Sequence, residues 1–464
     1  MLQTLKRKFI GDKAFYYGLL VLIIPMIIQQ GITNFVSLLD NVMVGRLGTE
    51  SMSGVAIVNQ LIFVFNITIF GGLSGASIFG AQFFGKGDHQ GVRHAFRFKI
   101  IYGLFVSALA MGLLFCFNEP LISLFLTDNG SGGDLALTLS EAKKYLSVMM
   151  VGLLPFAFSQ AYASTLKETG ETKAPMVASV IAILVNLVLN YMLIFGNFGA
   201  PKLGVMGAAI ATVISRYIEA GYLMYLTHSH ADHFEFIQGA YRSFKIPIDT
   251  LKRIAVTSAP LIANEILWSI GTTMINQSYS TRGLTVVAAT NITSTAWNLF
   301  CVIMFAMGNA ISIMVGQQLG AGEIEKAKDT DNKLLFFTTA LHVGIGLLIA
   351  VCAPFIPMIY NTEQVVRDLT TQLLLVAGAA LPLHALAHCT YFTLRTGGKT
   401  FITFLFDCVF TWVVSLPIAF CLSRFTEVNV VVIYFCVQFA DAVKVLIGIL
   451  MLKSGIWANN IVND

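Results

Sequence analysis

Residues 25–45 read Pro25-Met-Ile-Ile-Gln-Gln-Gly-Ile-Thr-Asn-Phe-Val-Ser-Leu-Leu-Asp-Asn-Val-Met-Val-Gly45, and the fold follows from how this stretch is read. Its length and apolar content suit a helix that crosses a bilayer. Within it Gln30, Asn34, Ser37 and Asp40 with Asn41 recur at steps of three and four, so they draw one polar stripe along a helix face. An ionised carboxylate at bilayer depth costs about 2.5–3.5 kcal/mol on insertion scales, so an acid there is expected to face protein or water and to serve ion, proton or substrate traffic. Asp40 is therefore the first functional candidate.

The rest of the chain agrees with a membrane reading. Of 464 residues, 56% are hydrophobic and 12% charged, with a mean hydropathy of +0.75, which excludes a soluble globule of ordinary composition. The net charge of +4 points to no nucleic-acid partner. The seven cysteines lie scattered in apolar runs without C-x-x-C spacing and read as small core residues, not as a zinc site or disulfides. Lys6-Arg7-Lys8 before an apolar run resembles a signal peptide. However, Asp12 and Lys13 interrupt it, no A-x-A site follows, and the apolar run exceeds signal length.

Runs of about 20 mostly apolar residues predict twelve transmembrane helices. Their expected limits are Tyr16–Val44, Met52–Phe79, Phe98–Phe117, Ala142–Thr165, Ala174–Phe195, Gly204–Leu226, Ile254–Ser278, Val286–Val315, Lys333–Tyr360, Leu369–Leu394, Thr400–Leu422 and Asn429–Leu452. Alternate loops starting with the N-terminus, Arg97 and Lys99 among them, then carry 20 Lys and Arg, and the other set carries 7. The positive-inside rule places both termini in the cytoplasm of a cell-membrane protein. Arg216 with Glu219, and Asp441 with Lys444, are spaced for mutual neutralisation within their own helices.

An internal repeat organises these spans. An offset of 235 matches Pro25 to Pro260, Asn41 to Asn276, Gln82 to Gln317, Gly85 to Gly320 and Gly87 to Gly322. After the fourth span the offset becomes 228, matching Leu166, Gly170 and Thr172 to Leu394, Gly398 and Thr400; the shortening fits an outer loop without a counterpart to 129–133. Six helices repeated as six give an N-lobe over 1–226, a cytoplasmic linker over 227–251 and a C-lobe over 252–464, related by a pseudo-two-fold axis. The glycines after the second and eighth spans suit helix ends, and no G-x-x-x-x-G-K-[ST] accompanies them, which argues against an ATP-driven pump.

The lobes differ in polar equipment: Asp40 falls opposite Ile275, and Glu265 opposite Gln30. Around Asp40, the fifth span offers Asn186 and Asn190 on one face and the sixth offers Thr212. Carboxylate, amide oxygen and hydroxyl are hard donors that suit Na+ or a carboxylic acid with its proton, whereas the bland alternative is helix-to-helix glue. In the second lobe Glu265 lies beside Asn264 and Trp268, and His384 and His388 lie four apart on the tenth span. These read as a buried network handling protons or substrate before they read as a metal site. Asp407, near a span end, is a further candidate, and His228, His230, Asp232 and His233 read as a solvated strip. No cofactor is expected beyond the coupling ion.

The ordered set Pro25…Asp40-Asn41…Gly45, Gln82…Gly85-Lys-Gly87, Pro260…Glu265 and Leu166…Gly170/Leu394…Gly398 resembles the MATE (multidrug and toxic compound extrusion) family over essentially the whole chain. The resemblance implies an all-α fold of two six-helix bundles forming a V. It also implies export of organic cations and amphiphilic drugs by antiport against Na+ or H+, and it makes the chain a transporter, not an enzyme. Carried over residue by residue, it places the ion-coupling set on Asp40, Asn186, Asn190 and Thr212, with Asp40 as the Na+ ligand, and the C-lobe acid on Glu265. Asn190 stands where DinF-type members have aspartate, which places the chain nearer the NorM type; yet the tenth-span acid of NorM-type members is replaced by the His384/His388 neighbourhood. The chain is read as a monomer in the lipid bilayer, with small-molecule substrates. The competing readings are a flippase for lipid-linked precursors, which would need free mid-span cations, and a membrane-embedded enzyme built on Glu265, His384 and His388.

Overall fold

The computed structural model describes residues 9–126 and 134–463; Lys6-Arg7-Lys8 and the outer-loop stretch 129–133 lie outside them. Among the described residues every regular element is a helix. The long ones are α1 (Lys13–Gly45), α2 (Thr49–Lys86), α3 (His89–Cys116), α4 (Leu135–Glu168), α5 (Lys173–Phe195), α6 (Val205–Ser229), α7 (Ile248–Ser280), α8 (Leu284–Phe300), α9 (Val302–Gly320), α10 (Ile324–Cys352), α11 (Gln364–Thr396), α12 (Thr400–Phe425) and α13 (Val430–Ser454).

Among the described residues, 11 of these helices are long and apolar enough to cross a membrane. The two that are not have physical reasons. Helix α6 carries Arg216 and Glu219 in its middle, which lowers its hydropathy, and α8 is cut to 17 residues by an irregular turn at Cys301. Cys301 nonetheless keeps φ at −76° and its amide donates to the Trp297 carbonyl at 2.9 Å, so α8 and α9 together make the expected eighth span. Each of the twelve expected spans thus falls on helix, although the ninth leaves the α-helix after Cys352, short of its expected end at Tyr360, and the protein is a multi-pass, all-helical membrane protein.

The repeat is visible in backbone detail. Gly87 after α2 and Gly322 after α9 both take φ +78°, the left-handed conformation that ends a helix without a Cβ clash. The following residues close the same turn, Asp88 N to Phe83 O and Glu323 N to Gln318 O, each at 2.9 Å. These glycines are structural, as the sequence suggested.

The chain forms two compact units. One contains Met1–Ile27, Ala81–Asp88 and Val256–Asp464, so the start of α1 and the end of α2 belong with the second half of the sequence. Its core packs Leu19, Ile23 and Met26 of α1 with Met307 and Ile311 of α9, Leu334 of α10 and Phe392 of α11. Here the end of α2 meets α9 backbone to backbone. A Cβ on Gly85 would lie 1.8 Å from the Gln317 carbonyl oxygen, and one on Gly320 would lie 1.9 Å from that of Gln82, so only glycine permits this crossing. The fully buried Gln82 then ties the C-terminal residues down, donating to the carbonyls of Thr396 and Asn459 and accepting from the amide of Ile461 at 2.8 Å.

The other unit contains Ile28–Gly80 and His89–Ala255. The whole expected linker, 227–251, belongs to it. That segment is less hydrophilic in space than in sequence, because Phe234, Phe236, Ile237 and Ala240 are buried. Two α3 arginines hold its backbone: Arg97 donates to the carbonyls of Gly239, Ala240 and Lys245, and Arg93 to those of Glu235 and Phe236. Arg97 and Lys99 are therefore helical and not loop charges, as the charge count took them. Lys99 is fully buried in α3, 2.5 Å from Glu168 and 3.1 Å from the hydroxyls of Ser164 and Thr165. A lysine can occupy such a place only with its charge paired and its three donors satisfied.

Candidate functional site

Helix spacing brings the first-lobe candidates together as expected. Asn190 Nδ2 donates to Asp40 Oδ1 at 2.7 Å, and the Asn186 side-chain amide lies 3.0 Å from that of Asn190 and 3.3 Å from Thr212 Oγ1. Three helices, α1, α5 and α6, each supply part of the set. Both asparagines are buried, whereas Asp40 is half-buried. Among the described residues no Lys, Arg or His forms an ion pair with Asp40; its protein partners are neutral.

Turned so that donors meet acceptors, the Asn186 amide donates through Nδ2 to Asp40 Oδ1 at 3.2 Å and Oδ2 at 3.1 Å, while its Oδ1 accepts from Thr212 Oγ1 at 3.3 Å.

The stripe on α1 is split differently from its sequence reading. Gln30 donates to Asn34 at 3.0 Å along the helix, and Ser37 is exposed. The residue that joins Asp40 in binding α5 is Gln29, which donates to Ser179 at 2.7 Å; Ser179 in turn donates to Glu219 of α6 at 2.6 Å. Gln29 precedes Asp40 by eleven residues, three helical turns, and that spacing was the available signal. Glu219 makes no ion-pair contact with Arg216, although the two charges still act on each other along α6. The guanidinium of Arg216 donates to the Gly152 carbonyl at 3.2 Å and lies 4.9 Å from the Phe156 ring centre.

In the other unit the expected Glu265, His384 and His388 grouping separates. Glu265 accepts from Tyr391 Oη at 3.5 Å. His384 Nδ1 lies 2.8 Å from Asp441 Oδ2, and His388 packs against Phe305 and Phe392 with its Nε2 unpartnered. The three side chains make no convergent catalytic set, and among the described residues no group of three His, Cys, Asp or Glu side chains could hold a metal ion. The expected Asp441–Lys444 pair gains a closer member: Lys444 Nζ lies 2.6 Å from Asp407 Oδ1 on a different helix, while the charge of Asp441 still acts on it from its own helix. Neighbouring helices bring closer partners than the same helix does. The linker histidines also part company, with His228 stacked on Tyr241 at 5.8 Å, His230 bonded to Ser229 and the Leu226 carbonyl, and His233 against Phe234.

Asp407 is more central than its sequence position suggested. It sits in a π-helical turn of α12 (Leu405–Val409), takes Lys444 from α13 and accepts from Asn264 of α7 at 3.1 Å; Asn264 also reaches Tyr391 at 3.3 Å. Such single wide turns often mark functional positions because they redirect one side chain. No periodicity in the sequence announces one.

The MatE family profile matches the chain twice, over residues 25–192 and 260–421. The chain belongs to the MatE family. Both matches begin at a repeat-related proline, Pro25 and Pro260, so the family pattern itself recurs at the offset of the repeat. The MatE chain is 23% identical over 89% of its length to the probable multidrug resistance protein NorM of Thermotoga maritima, covering 86% of that protein. It is 26% identical over 87% of its length to the multidrug resistance protein MdtK of Pectobacterium atrosepticum, again covering 86% of it. A crystal structure of MATE in the bent conformation superposes with a TM-score of 0.85 at 19% identity, over 96% of this chain and 95% of that one, and shares the fold. Members of the MatE family are transporters, not enzymes.

Proposed function

We propose that this chain is a multidrug exporter of the cell membrane that expels organic cations and amphiphilic compounds in exchange for Na+ or H+, with both termini cytoplasmic. The observation that carries the coupling step is the neutrality of the Asp40 surroundings. A carboxylate on a membrane helix needs a positive partner or a proton, and here α5 and α6 offer only amides and a hydroxyl. A mobile cation completes the site.

Alternating access then couples ion and substrate through differential affinity. In one state the carboxylate binds its proton or Na+; in the other, hydration draws the ion off, and the substrate moves in the opposite sense. The names of the curated relatives support small-molecule efflux as the cargo side of this cycle. The flippase reading has less support, since Lys444 is taken by Asp407 and Arg216 by the Gly152 carbonyl and the Phe156 ring. Ethidium efflux from proteoliposomes, run separately under a sodium gradient and a pH gradient, tests the proposal: one gradient drives efflux in the native protein and fails in Asp40→Asn. Equal efflux by the two proteins would overturn it.

A further inference from the structure

A cleft of about 350 Å³ opens between α7 and α8, within one unit. Seven of its lining residues are polar and uncharged: Thr273, Asn276, Gln277 and Ser280 on α7, and Thr290, Asn291 and Ser294 on α8. Their spacing of three and four puts them on one face of each helix, while the opposite faces bury Ile275, Tyr279, Val286 and Ile292 in the core. The hydroxyls of Thr273 and Thr290 donate to the carbonyls of Ser269 and Val286, leaving only their acceptor lone pairs. Among the described residues the side chains of Asn276, Gln277, Asn291 and Ser294 make no hydrogen bond. The cleft thus presents free donors and free acceptors together, with no charge.

Asn276, Gln277, Asn291 and Ser294 are exposed, so water or a ligand takes up their donors and acceptors. The repeat does not explain most of them, because five of the seven positions are Leu38, Val42, Gly45, Val55 and Ala56 in the first half. The polar groups at those five positions are an addition of the second half, not inherited packing. Amides and hydroxyls that offer donors beside acceptors match vicinal hydroxyl groups, which need both. The volume lies at the lower end of small-molecule sites, enough for one sugar-sized group.

We propose that the α7–α8 cleft is a binding subsite for an uncharged polyhydroxylated group, such as a glycosyl moiety carried by an otherwise apolar compound. It rests on the reading of the chain as an exporter of small molecules, but binding can be measured apart from transport. The probe is naphthyl β-glucoside, with methoxynaphthalene as the apolar control, in equilibrium dialysis against the full chain in nanodiscs. The native protein is expected to favour the glucoside. Gln277→Val and Asn291→Ala, which install the residues of the first half, should each weaken glucoside binding about tenfold, as for lost hydrogen bonds, while leaving methoxynaphthalene binding and ethidium efflux unchanged. Asn291→Gln, which keeps the amide, should retain part of the preference and so separates lost chemistry from lost folding. A native protein with no preference, or variants that keep all of it, would overturn the subsite. Absence of ion-driven ethidium efflux from the native protein would instead overturn the proposed coupling and leave the binding result standing.

Discussion

Asp40 and Asp407 are both acids on membrane helices, and each accepts a hydrogen bond from an asparagine, yet their charges are balanced in opposite ways. Asp407 has a cation built in: Lys444 lies 2.6 Å away and Asn264 3.1 Å. Asp40 has Asn190 at 2.7 Å, the Asn186 amide at 3.1–3.2 Å, and no ion-pair partner among the described residues. A carboxylate that owns a fixed cation gains little from a mobile one, because a second positive charge must be brought next to the first. A carboxylate surrounded by neutral dipoles keeps that place open. On the proposed coupling, ion exchange falls to Asp40, whereas Asp407 ties α7, α12 and α13 together.

The strongest way to break this contrast is to remove the charge of Asp40. Asp40→Asn should insert and fold normally and reduce gradient-driven ethidium efflux to background, measured in proteoliposomes against an empty-liposome control. A sharper version makes the first site resemble the second. Asn190→Lys supplies a fixed cation beside Asp40, and efflux should then lose its dependence on both sodium and pH gradients while the melting temperature holds; retention of ion-driven efflux would show that the neutrality of the site is immaterial.

The converse change strips the second site of its cation. Lys444→Met leaves Asp407 buried and unpaired and should destabilise the protein by about 3–5 kcal/mol, read as a lowered unfolding midpoint in detergent. Adding Asp407→Asn to that variant should recover most of the loss, since the penalty arises from the orphaned charge and not from the missing lysine. The smallest expected effect is at Asn186. Asn186→Ala removes one amide beside Asp40 and should weaken apparent ion affinity about tenfold, the worth of a hydrogen bond of about 1–1.5 kcal/mol, without abolishing efflux.

Much of this was legible in the residues. Apolar length located each span, because a bilayer leaves the backbone no alternative to satisfying its hydrogen bonds within a helix. Spacing of four put Asn186 and Asn190 on one face, and the cost of a membrane acid picked out Asp40. The misreadings share a cause. Arg216 with Glu219 and Asp441 with Lys444 have suitable spacing for a pair, but a neighbouring helix offers Ser179, the Gly152 carbonyl, His384 and Asp407 instead. Periodicity tells which side chains share a face; it does not tell what the face meets. Gln29 and Gln30 are adjacent in sequence, yet a turn of about 100° separates a bond to α5 from a bond along α1.

The sequence by itself determined the helices, the doubled six-span pattern and the expense of Asp40, since hydropathy and repetition are properties of the chain read in order. It also required glycine at 85 and 320. Only the tertiary structure decided why: at those two positions the ends of α2 and α9 touch backbone to backbone, with no room for a Cβ. The balancing of each acid was likewise decided in three dimensions. Charge is compensated over a few ångströms between helices that are far apart in the chain, and residues 40 and 190, or 407 and 444, become neighbours only once rotation and packing are set.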